Sequence, residues 1–99
     1  MRLTAEEVAT IRRLVAEAYG PGAEIWLFGS QLDPRRKGGD IDLLVEVPET
    51  APADLRCELR LHVELEEGLG GRKVDLIVHR RGEEEGPFVR IAKREGLRL

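Results

Sequence analysis

Two hydrophobic periods alternate along this chain, and each marks its own kind of element. In "TAEEVATIRRLVAEAYGPG", Val8, Ile11, Val15 and Ala18 recur at helical spacing, which predicts an amphipathic helix. Thr4 and Glu7 stand in capping-box spacing at its start, and Gly20 and Pro21 end it. "AEIWLF" then reads as a short buried strand closed by Gly29, with Trp26 in the core. A basic, glycine-containing loop leads to a second strand, about Asp40 to Val47, which Pro48 stops. "RKVDLIV" reads as a third strand with Asp75 in its middle. "PFVRIAKREG" closes the pattern as a short helix, with Pro87 at its start and Gly96 just past its end. Phe88, Ile91 and Ala92 are its expected apolar face.

Residues 52 to 67, "PADLRCELRLHVELEE", satisfy both periods. Leu55, Cys57, Leu59, Leu61, Val63 and Leu65 alternate with polar residues, as in a strand. The segment is long, however, rich in Leu, Glu and Arg, and Val63 is its single β-branched residue. Those features favour helix, and Pro52 suits a helix's first turn. As a helix it carries two apolar stripes, Leu55–Leu59–Val63 and, nearly opposite, Cys57–Leu61–Leu65–Leu69. One covers the sheet; the other, expected at Leu61 and Leu65, meets a partner or a twin subunit. The element order is helix, strand, loop, strand, helix, strand, helix, an α/β or α+β layer of about three strands flanked by helices.

Against this pattern the second strand is anomalous, because an apolar run begins with Asp40 and Asp42. Side chains of a strand alternate faces, so these two point the same way, about 7 Å apart along the backbone. Two carboxylates so close repel unless a cation lies between them. Mg²⁺ is the hard cation that such oxygens hold together with substrate phosphates. Asp75 supplies a third carboxylate if its strand lies beside the second, and acids on neighbouring strands suit in-line displacement at phosphorus. Gly29 and Ser30 follow the first strand, where glycine admits a close ligand and a helical turn offers free N–H groups to phosphate. Arg35, Arg36 and Lys37 share that loop and can offset phosphate charge.

Composition narrows the class. At 99 residues, 41% hydrophobic and 35% charged, the chain is one globular domain rather than a disordered segment. A net charge of −3 argues against a general nucleic-acid binder. The single cysteine, Cys57, cannot close an internal disulfide and reads as packing, since no histidine is placed to activate it. No apolar run approaches the roughly 20 residues of a membrane span, so a cytoplasmic protein is expected. The absence of Asn and the single Gln suit a thermophile, although a GC-rich genome gives the same bias. His62 reads as packing or solvent, His79 as a residue near Asp75 that could touch substrate, and "GEEEG", residues 82 to 86, as a solvated loop.

"FGS", nine residues, "DID" on the next strand and a later "VDLIV" together resemble the nucleotidyltransferase superfamily that includes the DNA polymerase β palm. The chain is most similar to the minimal nucleotidyltransferases, over nearly its whole length. The resemblance implies an α-β-α-β-α-β-α fold, with Asp40 and Asp42 binding Mg²⁺ or Mn²⁺ that grip ATP or another nucleoside triphosphate. It implies Asp75 as the third ligand, activating the acceptor hydroxyl, and Gly29 and Ser30 as holders of the β- and γ-phosphates. Family members often carry arginine after the Gly-Ser pair; here that position is Gln31, and Arg35 or Arg36 would substitute. The activity implied is transfer of a nucleoside monophosphate to a hydroxyl. The alternative is a non-catalytic antitoxin module that masks a partner. Minimal members pair with small all-helical proteins of the HEPN type in toxin–antitoxin systems, so such a partner, or a homo-oligomer, is expected.

Overall fold

Three helices and four strands account for nearly all of the regular structure among the described residues, which are 3–29 and 40–99 of a computed structural model. The helices are α1 (Ala5–Tyr19), α2 (Leu55–Gly68) and α3 (Pro87–Glu95). The strands are β1 (Glu24–Phe28), β2 (Ile41–Val47), β3 (Val74–Arg80) and β4 (Leu97–Arg98). The α-β-β-α-β-α order is as expected, with β4 added; the stretch in which the resemblance implies a further helix lies outside the described residues.

The sheet runs β3-β2-β1-β4 and is mixed. β1 pairs antiparallel with β2 and with β4, while β2 and β3 are parallel. The parallel pair is the consequence of α2, which returns the chain across one face of the sheet. β4 is a correction to the expected three strands. Two residues carry no readable period, and Trp26 and Leu27 recruit them by pairing with Arg98 and Leu97.

α1 begins as its sequence dictates. Thr4 Oγ1 accepts from the Glu7 N–H at 3.1 Å, and Glu7 Oε1 accepts from the Thr4 N–H at 2.9 Å. α2 starts later than expected, with Asp54 rather than Pro52 at its head; Asp54 Oδ1 accepts from the Cys57 N–H at 2.8 Å. Ile25, Leu27, Ile41, Leu43, Val45 and Val47 turn one sheet face toward α1 and α2. Trp26 and Leu44 turn the opposite face toward Val89 and Ala92 of α3.

Two helix faces differ from expectation. On α2 it is Leu61, Leu65 and Leu69 that are buried, whereas Leu55, Leu59 and Val63 stand exposed. The stripe expected to meet a partner is therefore core, because it is the one turned to α1 and the sheet. On α3 the buried pair is Val89 and Ala92, while Phe88 and Ile91 are exposed. Among the described residues no helix is long and apolar enough to cross a membrane.

Candidate active site

Strand register pairs two of the three expected acids. Asp42 is the direct partner of Asp75 across the parallel β2–β3 pair, and of Phe28 across the antiparallel β1–β2 pair. Partners in register project to the same face, so both carboxylates and the Phe28 ring share the α3 face of the sheet. Adjacent strands lie about 4.8 Å apart. Asp42 is half-buried and Asp75 exposed; Asp40 stands immediately ahead of β2, also exposed. Asp75 is the second residue of β3, not its middle.

Gly29 ends β1 against this pair. Its φ is +78°, and a Cβ built there would lie 2.2 Å from Asp42 Oδ2. Glycine is required twice over, for the left-handed backbone and for the room the Asp42 carboxylate occupies. Ser30, Arg35, Arg36 and Lys37, with Gln31, lie outside the described residues.

Asp75 also lines a cleft of about 280 Å³ at the free edge of β3, together with Leu55, Glu58, Leu59, His62, Val74 and Leu76. The exposed stripe of α2 thus runs down to one of the acids. His62 Nε2 bonds the Val74 carbonyl at 2.8 Å, and Glu66 accepts from the Val74 N–H at 2.9 Å. These two side chains cap the start of the edge strand.

The other end of the same sheet face holds a charged cluster that the sequence pattern concealed. Glu46 and His79 are buried there, with His79 Nδ1 3.1 Å from Glu46 Oε2 and Nε2 3.2 Å from the Glu84 carbonyl. Lys93 donates to both Glu46 and Glu85, and Arg81 reaches Glu46 and Glu24. Burial pushes the Glu46 carboxyl up, but hydrogen bonds from Lys93 and His79 outweigh it and hold the group below its ordinary range. Burial likewise works to lower Lys93, and its bonds to Glu46 and Glu85 reverse that and hold it high.

Two expectations change as a result. His79 is four residues along β3 from Asp75, about 13 Å at the standard rise, and is a structural residue rather than a substrate contact. Within the loop 82–86, which is otherwise exposed as expected, the Glu85 side chain and the Glu84 carbonyl belong to this cluster. The signal for the cluster was Glu46 interrupting an apolar strand, but its cation stands 47 positions later.

Among the described residues, two sets of donors come into question for a metal. Glu46, His79 and Glu85 place ligand atoms within 4.8 Å of one another, yet the Lys93 ammonium bridges the two carboxylates and serves as their cation. Asp42 and Asp75 are register partners on one face, and such all-oxygen donors suit Mg²⁺; Asp40 precedes β2 and is not gathered with them into a three-ligand group. A family model described as a nucleotidyltransferase domain matches residues 8–99. No curated protein matches the chain.

Proposed function

The chain belongs to the nucleotidyltransferase domain family, and from that premise we propose that it moves a nucleoside monophosphate, AMP from ATP, to a hydroxyl on a partner protein. The observation that carries the reading is the registered Asp42–Asp75 pair with Gly29 closed against Asp42. Asp40, Asp42 and Asp75 are the residues that would hold Mg²⁺. Bound there, the ion would supply positive charge to offset that of the triphosphate and of the leaving pyrophosphate.

The chain's own groups divide the remaining work. Gly29 lets the backbone approach the phosphates, and Ser30 adds a hydroxyl donor. Asp75, on the edge strand and beside the cleft, accepts the proton of the incoming hydroxyl. The hydroxyl oxygen bonds to the α-phosphorus as the bond to pyrophosphate breaks, and the proton passes to the carboxylate. Preorganised position and charge supply most of the acceleration. The exposed Leu55–Leu59–Val63 stripe, continuous with the Asp75 cleft, is where a helical partner would dock.

That stripe also favours a second reading, a module that neutralises its partner by binding alone. ATP labelled at the α-phosphate, incubated with Mg²⁺ and the proteins that co-purify with this one, separates the two. Transfer of label with release of pyrophosphate, lost in Asp42→Asn, is the expected result. A stable partner complex that acquires no label overturns the enzyme in favour of the binding module.

A further inference from the structure

Beside the acid pair, α3 leaves two large apolar side chains, Phe88 and Ile91, outside the core. Phe28 is the register partner of Asp42. Its ring meets Phe88 of α3 edge to face, with centroids 5.4 Å apart and planes at 78°. Phe88 remains 53% exposed and Ile91, one turn further along α3, 46% exposed. The core below is already complete without them, since Trp26, Leu44, Val89 and Ala92 pack together and are buried. Scattered exposed apolar residues are ordinary on a protein surface. Phe88 and Ile91 stand one turn apart on α3, and Phe88 meets the half-buried Phe28, which is registered against a carboxylate; they place apolar surface next to a highly polar site.

We propose that Phe88, backed by Phe28 and flanked by Ile91, is the platform on which the base of the bound nucleotide stacks. The inference rests on the nucleotide-transfer reading and adds to it the group that recognises the nucleoside. A triphosphate held at Asp42 has its sugar and base extending away from the acids. Along β3 that direction is taken by the acceptor cleft, and along β2 by the buried Leu44 and α3. Across β1 lies Phe28, and above it Phe88. An edge-to-face contact fixes the Phe88 ring from one side and leaves the other side for a π-face. Stacking recognises any base, because every base has such a face, so the platform confers affinity for a nucleoside with little choice among bases.

The test compares two ligands in the full-length protein, Mg–ATP and Mg–tripolyphosphate, which share phosphates but not the base. By calorimetry, Phe88→Ala should weaken ATP roughly tenfold or more and leave tripolyphosphate unchanged. Phe88→Tyr, which keeps the ring and its packing, should bind both as wild type does. Equal ATP affinity in wild type and Phe88→Ala, with tripolyphosphate bound by both, overturns the platform alone. Parallel loss of both ligands in Phe88→Ala also overturns it, because the residue would then be holding the site together. Failure of the wild type to bind either ligand overturns the nucleotide reading and the platform with it.

Discussion

At Gly29 the absence of a side chain decides where a carboxylate sits. A methyl there would face both a φ of +78° and Asp42 Oδ2 at 2.2 Å. Backbone strain alone costs about 1–3 kcal/mol, and Asp42 must also move. Gly29→Ala is therefore expected to lower the melting temperature and to lose the rise that Mg–ATP produces in the parent by ligand linkage. Thermal scans with and without Mg–ATP check both effects; an unchanged rise would place the ligand elsewhere. Glu46 is the opposite case, a charged residue whose neighbours keep it charged. Its folded pKa lies below the ordinary value of 4.5, so on acidification the unfolded chain takes up the proton first. Its contribution is fully present above that value and is lost as pH falls through the folded pKa. Lys93, held above its ordinary 10.5, contributes below that value and loses its contribution as pH rises through the folded pKa. Removing one member of a buried pair costs on the order of 3 kcal/mol. Lys93→Met should therefore destabilise the protein near neutral pH, and its stability should fall less on acidification than the parent's. Urea denaturation at a series of pH values measures both; an unchanged acid slope would break the link to Glu46.

Elements were legible where their own residues carried the instruction, and less so where a neighbour chose. The capping box of α1 and the three longer strands follow from local pattern, whereas the Asp54 cap of α2 did not stand out beside Pro52. The two stripes of α2 are both leucine-rich, and nothing in residues 52 to 67 says which one meets α1. On α3, Phe88 and Ile91 are the more apolar pair, yet Val89 and Ala92 are small enough for the helix to approach Trp26 and Leu44. The consequence is a sharp contrast between two substitutions on one helix. Leu65 is fully buried, so Leu65→Ala should cost about 2–5 kcal/mol. Leu59 is 56% exposed, so Leu59→Glu should leave the unfolding free energy within about 0.5 kcal/mol of the parent's while weakening any partner that docks on α2. Denaturation and co-purification of the two variants read this out. Loss of stability in Leu59→Glu would mean that the stripe supports the fold.

Across the whole molecule, the sheet sorts its chemistry by face and by end. One face is apolar throughout under α1 and α2, and the other carries acids at one end, an apolar middle under α3 and a neutralised ion cluster at the far end. The Asp42–Asp75 pair was legible because each interrupts an apolar strand, and the parallel β2–β3 register turns that sequence signal into adjacency. The far end was not, because Glu46 and Lys93 meet only after α3 has packed. The acids themselves are not equivalent. Asp42 lies inside the sheet between Phe28 and Asp75, beside Gly29, where a triphosphate would be gripped. Asp75 lies on the edge strand and lines the cleft that continues into the exposed face of α2, where an acceptor would enter. Asp75→Asn should therefore retain Mg–ATP binding and lose transfer by roughly 100-fold or more, the scale of a missing general base. Asp42→Asn should lose both, and Asp40→Asn should behave like Asp42→Asn. Calorimetry with Mg–ATP, alongside label transfer to the co-purifying acceptor, reads binding and transfer separately for each variant. Equal loss of binding in Asp75→Asn and Asp42→Asn would end the division of roles, since the edge carboxylate would then be gripping the nucleotide rather than the acceptor's proton.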